Sequence, residues 1–187
     1  MKNYQITEWC HHFIREHVKQ GDLCIDATVG NGNDTLLLCR LVGEEGQVIA
    51  FDIQEQAVVN TRKRLEDNGV SKQAKVLLES HTNMGQYAEL DSVSCIVFNF
   101  GYLPGGDHTL ATQKDSSIKA IHEGLGLLKK GGMMSLCIYS GGDSGFEERD
   151  AILAELKELN PKKYLVIMSQ YYNRPNNPPI PVMIIKL

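Results

Sequence analysis

A chain of 187 residues, 42% hydrophobic and 22% charged, can bury one sizeable core, so a single domain over residues 1–187 is expected. The formal net charge of −4 and pI near 5.9 exclude a surface coated in positive charge for a long nucleic acid; any contact with RNA has to be local. No apolar run approaches the roughly 20 residues that cross a bilayer, and MKNYQITEWCHHF lacks the basic-then-apolar order of a signal peptide, so a cytoplasmic protein with no membrane partner is expected.

In chain order, Trp9, Phe13, Ile14 and Val18 fall at helical spacing within Thr7–Lys19, with Thr7 placed to cap and Gly21 to stop the helix. LCIDA (Leu23–Ala27) is a short apolar strand, followed by a glycine turn and a helical run from Asp34. The unit repeats with a strand Gln47–Asp52, a helix Gln54–Asn68 stopped by Asn68-Gly69, and a strand Lys75–Glu79. Val93–Phe100 is almost continuously apolar, as a strand covered on both faces should be.

After the loop GYLPGGDHT, a helix Asp115–Lys130 is expected, with a basic last turn and Gly131-Gly132 as its cap. Met133–Tyr139 is a strand, SGGDSG a loop and Phe146–Leu159 a helix; YLVIMSQYY and PVMIIKL, joined by NRPNNPPIP, look like an antiparallel pair. Strand–helix alternation implies right-handed crossovers and an open α/β sheet with helices on both faces. Its ligands bind beyond the carboxyl ends of the strands, where Asp26–Thr35, Asp52–Gln54 and Asn99–Asp107 would meet.

The five cysteines, Cys10, Cys24, Cys39, Cys95 and Cys137, are odd in number and lack C-x-x-C spacing. Neither they nor the histidines suggest a disulfide framework or a metal site. His11, His12 and His17 on the first helix, and His122, read as surface or boundary residues.

The turn DATVGNGNDT (Asp26–Thr35) sets Gly30 and Gly32 where a dinucleotide fingerprint has two glycines, but Thr35 stands where the third belongs. A pyrophosphate gains from bare N–H groups at a helix start and is repelled by carboxylates, and Asp26 and Asp34 flank this turn. A sulfonium and an ammonium group need the opposite: carbonyls, amide oxygens and carboxylates, all of which this stretch supplies. Asp52 at the end of the next strand suits the hydroxyls of an adenosine ribose in either case. Asp34 also suits a helix N-cap, Asn31 and Asn33 suit a left-handed turn, and Asp26 can be satisfied by its own turn.

D-x-x-x-G-x-G with an acid closing the next strand resembles the class I S-adenosylmethionine-dependent methyltransferases. NFGYLPGGD (Asn99–Asp107) resembles the Asn-Pro-Pro-Tyr box of enzymes that methylate exocyclic amines, with Gly101 in place of a proline. Taken with FDIQ, these motifs make the chain similar, over almost its whole length, to the small bacterial methyltransferases once called putative rRNA methylases, which include the tRNA 5-aminomethyl-2-thiouridine methyltransferases.

That resemblance implies a Rossmann-like fold with a seven-stranded, mostly parallel sheet and a C-terminal antiparallel strand pair. It implies S-adenosyl-L-methionine as cofactor and methylation of the aminomethyl group of the wobble uridine in a tRNA anticodon loop, and it allows a homodimer. The residues expected at the cofactor are Asp26, Gly30, Asn31, Gly32, Asn33, Asp34 and Thr35 from the turn, Asp52, Ile53 and Gln54 after the second strand, and Ser80, His81 and Asn99. Asn99, Tyr102 and Asp107 are expected nearest the methyl transfer; His108, His81 and Asp143 are further candidates to accept or relay a proton. Relatives carry a Gly-His pair after the fifth strand, where this chain has Ser140-Gly141-Gly142. An rRNA, a small-molecule or a protein amine as substrate stays open, as does a nicotinamide-dependent oxidoreductase on the same sheet.

Overall fold

A computed structural model describes residues 4–101, 112–140 and 145–187. The elements run α1 (Ile6–His17), β1 (Leu23–Asp26), α2 (Asn33–Val42), β2 (Gln47–Asp52), α3 (Glu55–Asp67), β3 (Ala74–Leu78), β4 (Val93–Phe100), α4 (Lys114–Leu127), β5 (Leu128–Ile138), α5 (Gly145–Glu158), β6 (Tyr164–Met168) and β7 (Ile180–Lys186). Short 3₁₀ turns flank β3 at Ser71–Gln73 and His81–Gln86.

The seven strands form one sheet in the order β3-β2-β1-β4-β5-β7-β6. β1 to β5 pair in parallel, whereas β7 runs antiparallel to both β5 and β6, as the C-terminal runs suggest. The order reverses between β1 and β4, so their connections leave on opposite sides and open a crevice beyond their carboxyl ends.

Alternate residues of the central strands feed two cores. Ile25, Ile49, Phe51, Ile96, Phe98 and Met134 pack with the α4–α5 side, and Cys24, Val48, Ala50, Cys95, Val97 and Met133 with the α1–α3 side. Covering on both faces is why the β4 sequence lacks a polar alternation. All five cysteines are free and buried in these layers.

α1 begins at Ile6, capped by Gln5 rather than Thr7, and buries Cys10 and Ile14. Its ring pair Trp9–Phe13 meets edge to face at 5.2 Å, and Trp9 Nε1 donates to Ser169 Oγ at 3.2 Å, tying the helix to the segment after β6.

The junction of α4 and β5 departs from the sequence expectation. α4 ends at Leu127, three residues early, and Lys129-Lys130-Gly131-Gly132 belong to β5 instead of capping the helix. Leu127 and Leu128 are both fully buried, and Leu128 pairs with Val93, so burial draws the chain into the sheet before the basic residues. The register then shifts between Val93 and Cys95, which next pairs with Met133, leaving 129–132 as a bulge. Lys129 Nζ turns back to donate to Asp22 Oδ1 at 2.8 Å. At Gly132 an added Cβ would lie 2.8 Å from the Lys129 carbonyl oxygen and 3.0 Å from that of Val93. Gly132→Ala is therefore expected to cost about 1–3 kcal/mol in denaturant unfolding; an unchanged midpoint would contradict this account of the bulge.

Candidate functional site

A cleft of about 860 Å³ opens over the carboxyl ends of β1, β2 and β4. Of the residues expected at a cofactor, Gly30, Asn31, Asn33 and Asp34 line it from the turn, and Asp52, Ile53, Gln54, Ser80, His81 and Asn99 line it from the other strand ends. Asp26, Gly32 and Thr35 do not reach its wall; all three are buried behind it. Tyr102, Asp107, His108 and Asp143 lie outside the described residues.

The turn is built from inside. Asp26, fully buried at the end of β1, accepts from Thr35 Oγ1 at 2.6 Å and from the Thr28 N–H at 3.2 Å. Thr35 thus braces the turn from α2. Gly32 has φ of 72°, and a Cβ there would meet Thr61 Oγ1 of α3 at 2.5 Å. Its missing side chain lets α3 approach, and the close approach to the cleft falls to Gly30, at φ of 53°.

Asp52 clasps that approach. Its Oδ2 accepts from the Gly30 N–H at 2.9 Å and its Oδ1 from the Gln54 N–H at 2.9 Å. An N–H that a pyrophosphate would need is therefore already bound to a carboxylate, which repels an anion and suits hydroxyl donors. Ile53 stands beside it 55% exposed, an apolar lip at the mouth. His81 packs edge to face on Phe98 at 6.0 Å between ring centres. Burial lowers its pKa and favours the neutral ring. Its Nδ1 lies 3.1 Å from the Ala27 carbonyl oxygen, which only accepts, so Nδ1 carries the proton and Nε2 is left as an acceptor.

Asn99 follows from β4, its backbone N–H donating to Thr28 Oγ1 at 2.7 Å and its Nδ2 to Asp34 Oδ2 at 2.6 Å. Asp34 Oδ1 meets His11 Nε2 of α1. Asp34 is not a cap: α2 is capped at Gly32 without a side-chain bond. The other asparagine of the turn, Asn33, accepts from Arg64 Nη1 at 2.7 Å, through Oδ1.

Several lining residues escaped the sequence. His11 joins the cleft with Glu8 and Arg15, all on one flank of α1; spacing of three and four along a helix was the available signal. Gly101 and Thr112 bracket the segment between them: the Gly101 N–H donates to Thr112 Oγ1 at 2.8 Å, and the Thr112 N–H to the Gly101 carbonyl at 3.1 Å. Gly101 adopts φ of 151°, and a Cβ there would press on the Tyr139 Cβ at 3.2 Å. Behind them Glu148, buried at the start of α5, accepts from Thr112 Oγ1 at 3.0 Å and Ser117 Oγ at 2.6 Å. Burial raises its pKa despite those two bonds.

The family model described as "Putative rRNA methylase" matches residues 48–185. Over 181 residues the chain is 35% identical to the tRNA (mnm(5)s(2)U34)-methyltransferase, chloroplastic, of Arabidopsis thaliana, covering 92% of this chain and 66% of that protein. It is 29% identical over 133 residues to a ubiquinone/menaquinone biosynthesis C-methyltransferase of Legionella pneumophila, spanning 49% of that protein's length. Among solved structures, a "putative rRNA-methylase" from Clostridium thermocellum superposes with a TM-score of 0.96 at 41% identity over the whole of both chains. SMU.1697c, a "putative methyltransferase" of Streptococcus mutans in complex with SAH, does so at 0.89 and 36% identity over 99% of each chain.

Burial, and next the charge of Asp34, push Asp26 up from 3.8 to about 7. A carboxyl with a raised folded pKa binds more protons folded than unfolded between those values. Its stabilising share is complete below about pH 4 and lost as pH rises through about 7. Denaturant unfolding without ligand is expected to show wild-type protein losing more stability than Asp26→Asn between about pH 5 and pH 8, by a few kcal/mol. Parallel losses in the two proteins would contradict the buried-acid assignment.

Proposed function

The chain belongs to the family described as putative rRNA methylases, and from that premise we propose that it is an S-adenosylmethionine-dependent N-methyltransferase acting on the aminomethyl group of a wobble uridine in tRNA. Asn99 carries the chemistry of this reading. One N–H of its Nδ2 is committed to Asp34, a carboxylate that only accepts, which fixes the amide's orientation and leaves Oδ1 as the acceptor for an incoming amine N–H.

S-adenosylmethionine is the cofactor, and the residues of the cleft fit it. When bound it supplies an activated methyl group on a sulfonium. Asp52 would hold the ribose hydroxyls with the lone pairs left over from Gly30 and Gln54. Ile53 would cover the adenine, and His81 Nε2 would accept from its amino group. The carboxylate at Asp34, which lines the cleft, favours a cation over a phosphate at the turn. The clasp of Asp52 on Gly30 weighs against the nicotinamide alternative for the same reason.

Methyl transfer to nitrogen needs a free lone pair, an in-line approach and little water. A primary aliphatic amine arrives mostly protonated, so one proton must leave before attack. Asn99 Oδ1 would accept a remaining N–H and thereby aim the lone pair. A cleft of about 860 Å³ leaves room beside the cofactor for a nucleobase. The tRNA substrate rests on the Arabidopsis relative, whose name states wobble-position activity and which matches 92% of this chain. A net charge of −4 confines the RNA contact to a small patch, to which Arg15 and Arg40, both lining the cleft, would contribute.

The test is the nucleoside content of tRNA from cells lacking the protein, with purified enzyme added back. The unmethylated 5-aminomethyl uridine should accumulate and convert to the methylaminomethyl form on addition of enzyme and cofactor. Unchanged tRNA nucleosides, or methyl incorporation into rRNA alone, would overturn the substrate.

A further inference from the structure

On the methyl-transfer reading, we propose that Asp34 and His11 are positioning residues that lock the Asn99 amide with its oxygen toward the substrate amine. An asparagine side chain can turn over end for end with almost no change in shape, and the wrong orientation would present N–H donors that tie up the amine's lone pair. Something must break that symmetry. Asp34 does so, because both its oxygens accept: Oδ2 takes the Asn99 Nδ2–H at 2.6 Å and Oδ1 takes the His11 Nε2–H.

Each partner comes from a different element, β4, α2 and α1, so the lock depends on the tertiary fold. The Asn99 backbone is fixed independently by Thr28 Oγ1, which leaves the amide's rotation as the one remaining freedom. His11 holds the second oxygen of Asp34, so the carboxylate is fixed at both ends. The other ring nitrogen of His11, Nδ1, lies 3.7 Å from Glu8 Oε1. Asp34 and His11 bond to Asn99 and to each other rather than to Asp52 or His81, so their loss should lower turnover more than cofactor affinity.

The experiment combines steady-state kinetics on undermodified tRNA with S-adenosylhomocysteine titration. Asp34→Ala and Asn99→Asp should each lower kcat about 10- to 100-fold, a larger effect than either has on affinity for S-adenosylhomocysteine, which lacks the sulfonium charge. Exchanging the two groups, Asp34→Asn with Asn99→Asp, restores one donor facing one carboxylate and keeps an acceptor toward the substrate. It should recover at least about tenfold over Asn99→Asp alone. His11→Gln, which keeps a donor, should retain more kcat than His11→Leu. An exchange variant no faster than Asn99→Asp, or Asp34→Ala with wild-type kcat, would overturn the proposal.

A substrate-free readout separates this from the tRNA assignment. In ¹⁵N-labelled protein with S-adenosylhomocysteine, the Asn99 side-chain amide protons should resonate away from exposed asparagines and exchange slowly, and lose both properties in Asp34→Ala. If wild-type protein fails to methylate tRNA but shows that signature, the substrate is wrong and the lock stands. If it methylates tRNA while the Asn99 amide is unshifted and fast-exchanging, the lock is wrong and the substrate stands.

Discussion

The parallel pairing of β1 with β4 governs the site. Asp26 aligns with Ala50 on one side and Val97 on the other, and from that point the two connections diverge to opposite faces of the sheet. The crevice between them cannot be filled by either crossover, so backbone and side chains at three strand ends face open space. The turn after β1, the clasp at the end of β2 and Asn99 at the end of β4 all occupy that space because the sheet order brings them there. Gly30, Asp52 and Asn99, remote in sequence, become one wall, with Asp26 buried behind it.

Within that wall the carboxylates divide their tasks by burial. Asp26 lies wholly inside and holds the turn to α2; Asp52 holds Gly30 and Gln54 at the surface of the cleft; Asp34 joins three elements at its rim. Burial first, and then repulsion from Asp34 and Asp52, raises Asp26. A bound cation relieves that repulsion. The charge pattern thus prefers a sulfonium to a pyrophosphate for the same reason that it burdens the free protein.

Much of the fold was legible because its signals are local. Gln47–Asp52 and Val93–Phe100 form strands over those same residues, since short apolar runs between turn residues leave few alternatives. The end of α4 was not, because Lys129-Lys130-Gly131-Gly132 satisfies the rules of a helix terminus, and only the burial of Leu127 and Leu128 against the sheet overrides them. At the site, the motifs lead to Gly30, Asp52 and Asn99, which line the cleft, while the turn's spacing alone does not separate residues that line it from residues that brace it. Gly32 serves Thr61, a residue of the next helix, and Thr35 serves Asp26. His11 was passed over because its partner, Asp34, lies 23 residues away, beyond any helical period.

The central claim is that this cleft selects a cationic adenosyl cofactor over a dinucleotide. Calorimetric titration of the wild-type protein and Asp52→Ala with S-adenosylmethionine, S-adenosylhomocysteine and NAD measures it most directly. The account predicts saturable binding of both adenosyl ligands by the wild type, a loss of about 10-fold or more in Asp52→Ala, and no binding of NAD. Saturable NAD binding without binding of the adenosyl ligands would contradict it.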